Sequence, residues 1–210
     1  MNQKILLAAL FILLVNVSVA QRFEGGILAG FNGSQVTGTQ INGVPFKGYN
    51  KPGILVGAFV QTDIAPAVFA GMEIKYSQKG ARNRVKKDED PDKYIMRLGY
   101  IDVPVFVGFR ASDRSAVVGG VSAGYLMHAK EFDEYGEFAE EDQNAFNNLD
   151  LQPFVGFQFD MLDRLKLDLR IAYSVLPIRE RLGEDATNYY WLNNQFNNVI
   201  SLAFYYNLSR

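Results

Sequence analysis

Apolar and polar side chains alternate one by one along much of the chain. Eight stretches rich in Val, Ile, Phe, Tyr and Gly occupy 26–36, 53–62, 67–79, 96–110, 116–130, 149–160, 166–178 and 197–208, and four of them show the alternation most clearly. In the third, Val68, Ala70, Met72, Ile74 and Tyr76 share one face, and Gly71, Glu73, Lys75, Ser77 and Lys79 the other. In the fourth, Ile101, Val103, Val105, Val107 and Phe109 oppose Tyr100, Asp102, Pro104 and Arg110. The seventh sets Leu167, Leu169, Ile171, Tyr173 and Val175 against Lys166, Asp168, Arg170, Ala172 and Ser174. The eighth sets Ile200, Leu202, Phe204, Tyr206 and Leu208 against Val199, Ser201, Ala203, Tyr205 and Asn207. A period of two belongs to the β-strand, whose successive side chains leave opposite faces. Each stretch suffices for a tilted strand across a bilayer, which takes about 9–11 residues.

Two folds use such a pattern. A soluble sandwich or lipocalin-type barrel turns its apolar face inward, whereas a membrane barrel turns it out to lipid. The connectors discriminate. Those at 63–66, 111–115 and 161–165 are short, and those at 37–52, 80–95, 131–148 and 179–196 are long, in strict alternation. Outer-membrane barrels alternate tight periplasmic turns with long external loops in this way. The polar faces carry Glu73, Lys75, Asp102, Asp150, Asp168 and Arg170, charges too costly to leave unpaired in a dry core but able to pair across a packed barrel lumen. The expected fold is therefore all-β: an eight-stranded antiparallel up-and-down transmembrane β-barrel over 21–210, with short periplasmic turns and long external loops. Tyr76 and Tyr100 at the loop side, and Phe109, Phe159, Tyr205 and Tyr206 at the turn side, are candidates for interfacial aromatic girdles.

Residues 1–20 read as a signal peptide: Lys4 precedes an unbroken apolar run at 5–15, and Ser18-Val19-Ala20 offers a small-x-small cleavage site. The run falls short of the roughly 20 apolar residues of a spanning helix; a retained anchor is the alternative. Composition narrows the chemistry. Lys and Arg number 21 against 23 acidic residues, for a net charge of −2, so there is no basic footprint and no nucleic-acid partner is expected. There is no cysteine and one histidine, which excludes disulfides, thiolate metal sites and thiol nucleophiles. No cofactor and no metal site is expected.

Four motifs together resemble a known family. Glu73-Ile74-Lys75-Tyr76-Ser77-Gln78-Lys79-Gly80 resembles the E-x-x-Y-S-Q-K-G strand end of PorT-like outer-membrane β-barrel proteins. Tyr100-Ile101-Asp102-Val103-Pro104-Val105 matches their tyrosine–acid–proline strand. Gly119-Gly120-Val121-Ser122-Ala123-Gly124-Tyr125-Leu126 is similar to their glycine-rich fifth strand, and Asn197-Asn198-Val199-Ile200-Ser201-Leu202 to the start of their last. The matches fall in order along nearly all of 21–210. The resemblance implies an eight-stranded barrel in the outer membrane of a Gram-negative-type envelope. The founding member is an accessory of the type IX secretion system, and most relatives have no assigned role. Many outer-membrane barrels end in an aromatic residue, whereas here Phe204, Tyr206 and Leu208 alternate before Ser209-Arg210.

Candidate chemistry is sparse. His128, near the loop end of the fifth stretch, would need a hydroxyl such as Ser77 and an acid such as Asp102 in reach to form a triad; a rim histidine is the plainer reading. Glu131, Asp133, Glu134, Glu137, Glu140, Glu141 and Asp142 form an acidic loop without EF-hand spacing, read as a solvated loop. Arg82-Asn83-Arg84-Val85-Lys86-Lys87 could meet lipid phosphates or the adjoining Asp88-Glu89-Asp90. Tyr189, Tyr190 and Trp191 form an aromatic group in the last long loop, a candidate partner contact. Glu73, Lys75, Asp102, Asp168 and Arg170 are the candidate lumen charge network, packed rather than open because eight strands leave room only for side chains. The expected function is a non-enzymatic outer-membrane component, structural or accessory, with a link to type IX secretion implied by the resemblance. Its expected partners are outer-membrane lipid and, through the loops, secretion or envelope proteins. The alternatives are a small pore, a solute- or lipid-binding barrel, or a lipid-modifying enzyme.

Overall fold

The computed structural model describes residues 23–38, 40–41, 44–45, 48–83, 94–133, 135–138, 145–180 and 194–209. Residues 1–20, read above as a signal peptide, lie outside them. The strands are β1 (Phe23–Thr37), β2 (Gln40–Ile41), β3 (Val44–Pro45), β4 (Lys51–Ala65), β5 (Val68–Arg82), β6 (Ile95–Ser112), β7 (Ser115–Phe132), β8 (Leu149–Leu162), β9 (Leu165–Tyr173), β10 (Arg179–Glu180) and β11 (Asn194–Asn207). The eight long ones, β1, β4 to β9 and β11, pair antiparallel in chain order, and β1 closes the sheet on β11 from Gly26↔Asn207 to Thr37↔Phe196. The result is a closed eight-stranded barrel without a free edge. Short β2 and β3 pair with each other between β1 and β4, and β10 adds to the loop end of β11.

Each short connector tightens to a two-residue turn, at 66–67, 113–114 and 163–164. The strands therefore run further toward the turn side than the alternation alone marks. At the other end the seventh stretch is shorter than expected. β9 stops at Tyr173, and 174–178 bends over the barrel mouth, where Val175 donates its amide to Leu151 and Ile178 to Gln195.

The two faces have opposite chemistry, and the apolar one is outside. Ile54, Val56, Met72, Ile74, Val103, Val105, Val107, Phe109, Val121, Val155, Ile171 and Leu202 all point outward and are exposed, Val105 by 56%. Glu73, Lys79, Asp102, Asp150, Asp168 and Arg170 point inward, and Asp150 is 0% exposed. A continuous belt of bare Val, Ile and Phe is incompatible with a water-facing wall and suits a lipid-facing one. The outward apolar run on β5 extends from Val68 to Tyr76, about nine residues, enough to cross the hydrocarbon layer. This disposition removes the soluble-barrel reading.

Three apolar clusters share the interior with the charges. Phe69, Phe106, Ala116, Val118 and Phe154 form one, and Leu28, Leu55, Phe59, Ala203 and Tyr205 another. Toward the loop end, Val36, Ala81, Met96, Leu98, Tyr100 and Ile178 form a third, closing the mouth. The register carries one irregularity of consequence. Gly99 faces His128 and Tyr100 faces Leu126, so β7 bulges at Met127. The extra residue reverses the alternation beyond it, turning His128 and Lys130 outward and Glu131 inward.

Candidate functional site

Nearer the turns, Arg170 on β9 spans the lumen to Glu73 on β5. Its Nη2 lies 2.6 Å from Glu73 Oε1 and its Nε 2.8 Å from Asp168 Oδ1. Lys75 reaches the other oxygen of Glu73 at 3.1 Å, Tyr205 donates its hydroxyl to Glu73 at 2.8 Å, and Gln158 donates to Asp168 at 2.8 Å. Two cations thus meet two carboxylates. Arg170 also lies against the rings of Phe106, Phe154 and Tyr205, at 5.0, 4.7 and 5.7 Å. A guanidinium suits this place because its planar faces stack on rings while its edge pairs with carboxylates.

The second cluster lies nearer the loops and centres on Lys79. Its Nζ lies 3.0 Å from Asp102, 3.4 Å from Asp150 and 2.9 Å from the Gln152 side-chain oxygen, with the Tyr100 ring 4.6 Å below it. Ser174 and Asn197 donate to Asp150 at 2.6 and 2.8 Å. Between the two clusters remains a cavity of about 30 Å³ lined by Asn32, Ser77, Ser122 and their neighbours, room for no more than a water or so. Above the apolar cap, Arg179 pairs with Glu131 at 2.8 Å and bonds Gln195, and Tyr94 donates to Glu131. Burial and the Glu131 charge push the Tyr94 phenol well above its ordinary pKa.

The five charges singled out in the sequence are thus divided. Glu73, Lys75, Asp168 and Arg170 meet, while Asp102 belongs to the Lys79 cluster. Lys79, Asp150, Gln152, Ser174, Asn197 and Tyr205 complete the two networks, and all lie at inward positions of their strands or in the segment bending over the mouth. Parity marks most of them as interior, but which ones touch across the lumen depends on strand stagger, which alternation does not encode. Two girdle candidates are corrected by parity: Tyr100 and Tyr205 are buried inside, whereas Phe109, Phe159 and Tyr206 face outward. Tyr189, Tyr190 and Trp191 lie outside the described residues.

His128 does not meet Ser77 or Asp102. Its ring stacks on Tyr76 at 6.3 Å on the outer wall, whereas Ser77 and Asp102 are lumen residues occupied by Asn32 and Lys79. In the acidic loop, Glu131 turns inward to Arg179, Asp133 caps the amides of Tyr135 and Gly136, and Glu137 pairs with Lys130. Among the described residues, no group of three His, Asp or Glu side chains is placed to hold a metal ion.

An outward apolar belt, a closed sheet and a salt-bridged interior define the class: a transmembrane β-barrel of the bacterial outer-membrane type. The sequence bears this out, since residues 18–179 match the model of the outer membrane protein beta-barrel domain, and the chain belongs to that family. No curated protein matches it. Among solved structures, Ail, the attachment invasion locus protein of Yersinia pestis, solved with the heparin analogue sucrose octasulfate, has a similar fold. The two are 15% identical, with a TM-score of 0.52 over 89% of this chain and 99% of that one. Neisserial surface protein A is matched at 10% identity and a TM-score of 0.45, over 89% and 98% of the two chains. OprG of Pseudomonas aeruginosa is matched at 12% and 0.40, over 90% and 95%. The family places the protein in the outer membrane.

Proposed function

We propose that this protein is a non-enzymatic envelope component whose interior serves as a strut and whose external loops make its contacts. The observation that carries the reading is the cross-lumen pairing of Arg170 with Glu73 and of Lys79 with Asp102 and Asp150, beneath the apolar lid of Ile178. Eight-stranded barrels have little interior to spare, and here that interior is taken up by side chains bonded to one another. The competing reading is a small pore. Purified protein in planar bilayers is expected to give no unitary conductance steps; discrete openings altered by Arg170→Ala would favour the pore instead.

The PorT-like motifs at 73–80 and 100–105 support a finer assignment, an accessory role in type IX protein secretion with secretion or envelope proteins as loop partners. A clean deletion in the source bacterium tests it. The expected result is loss of a class of exported proteins from the surface and medium, restored by the intact gene. An unchanged set of exported proteins removes the secretion role and leaves the strut reading standing.

A further inference from the structure

On the outer wall, just above the apolar belt, a half-open cleft of about 390 Å³ is lined by Lys51, Gln78, Arg82, Arg97, His128 and Lys130. The His128 ring can lie flat along this wall because Gly99 has no side chain: a Cβ there would sit 2.2 Å from the ring. The far wall of the cleft exists because the Met127 bulge turns His128 and Lys130 outward, beside Arg97 rather than into the lumen. Tyr76 and His128, stacked on each other, mark the boundary between belt and cleft, the level at which aromatic side chains meet lipid headgroups.

Counted over the described residues, the charge of this cleft is not balanced. Among the described residues, Arg82 and Arg97 have no carboxylate within ion-pair distance, and only Lys130 is paired, to the exposed Glu137 at 2.8 Å. Arg97 is held in place over the Phe132 ring at 4.7 Å. Lys51 is 8% exposed, and the hydrogen bond of its ammonium goes to the Pro52 carbonyl at 2.7 Å. A nearly buried cation lining the same cleft as two guanidinium groups is electrostatically costly, and an anion placed among the three reverses the sign of the interaction.

We infer that this cleft binds the phosphoryl group of an anionic outer-leaflet lipid, with Arg82 and Arg97 gripping its oxygens and Lys51 beneath them. Arginine offers phosphate two parallel donors, and three cations around one site match a phosphate monoester better than a singly charged carboxylate. The site faces sideways into the leaflet, so an attached acyl chain would run down the belt past Ile54, Ile74 and Ile101. The inference rests on the outer-membrane placement and is independent of any role in secretion.

Native mass spectrometry of the barrel released from detergent, with bisphosphorylated lipid A as the probe, tests the site. One tightly retained lipid per barrel is expected, with binding about tenfold weaker in Arg82→Gln/Arg97→Gln, the loss of about one strong ionic contact. Lys51→Gln alone is expected to weaken it in the same direction, and heat-modified mobility on gels checks that each variant is folded. Equal retention by wild type and both variants overturns the site. Equal retention of dephosphorylated lipid A overturns the phosphoryl assignment, and displacement by millimolar inorganic phosphate overturns the lipid as its source. None of these outcomes bears on conductance or protein export.

Discussion

Arg170 and Glu73 lie 97 residues apart in the chain and 2.6 Å apart in the lumen. Both are buried in a cluster of two cations and two carboxylates, so removing either leaves the cluster one charge out of balance. Removing one partner of a buried pair costs about 3–5 kcal/mol, because the remaining charge is left uncompensated. Glu73→Gln is therefore expected to lower the stability of the folded barrel by that amount, read from urea unfolding in lipid vesicles. Adding Arg170→Met should cost less than the sum of the single changes. An unfolding midpoint unchanged by Glu73→Gln would mean that the pair holds nothing together.

Lys79→Met makes the complementary test. It leaves Asp102 and Asp150 facing one another without their shared cation. The expected loss is again about 3–5 kcal/mol, and Asp102→Asn placed on top should recover part of it. No recovery would show that the two carboxylates do not depend on the same ammonium.

Outside, the expectation is the reverse of that for a soluble protein. Val105 stands near the middle of the outward run on β6 and is exposed by 56%. Val105→Arg should cost about 2–4 kcal/mol in a bilayer, as arginine does at the midplane of a transmembrane barrel wall. The same change on a water-facing strand would be close to neutral. A neutral result would contradict the lipid-facing assignment of the belt.

Gly71 and Phe106 are cross-strand partners, and the ring lies over the glycine so closely that a Cβ there would be 2.4 Å from the ring tip. Because Arg170 stacks on the same ring, Phe106 has little freedom to yield. Gly71→Ala should cost about 1–3 kcal/mol through this crowding. Gly119→Ala, whose nearest neighbour would be a carbonyl oxygen 3.8 Å away, serves as the tolerated control. Equal stability of the two variants would show that the ring is free to move aside.

The wall of this barrel was legible from alternation, because the clearest strands set an apolar outer face against an inner face that carries the charges, although Leu28, Leu55, Phe59, Phe69, Phe106, Val118 and Phe154 also point inward. Which face met lipid was decided by chemistry: Glu73, Asp102 and Arg170 share the face that must be enclosed. Three things were not legible. The Met127 bulge has no mark in the local pattern, and strict parity carried on from Ala116 puts His128 in the lumen and Glu131 outside, the opposite of the structure. The turn of the chain at Ser174 is hidden because Val175 and Ile178 read as further strand, whereas Ile178 is the lid. The assignment of Asp102 to Lys79 rather than to Arg170 follows from how far each strand is slid along its neighbour, which only the assembled sheet determines.

The layered lumen also sets how this protein can change over generations. Lipid chains adapt to whatever apolar shape they meet, so Ile, Val, Leu and Phe on the outer belt can replace one another freely. The interior has no such latitude: Arg170 answers to Glu73, Asp168 and three rings, and Lys79 to two aspartates and a glutamine. A change at one of those positions must be met by a change at its partner across the barrel. Relatives should accordingly drift fastest on the outer wall and substitute in matched pairs inside, the inverse of the variation expected for a protein folded around an oily core.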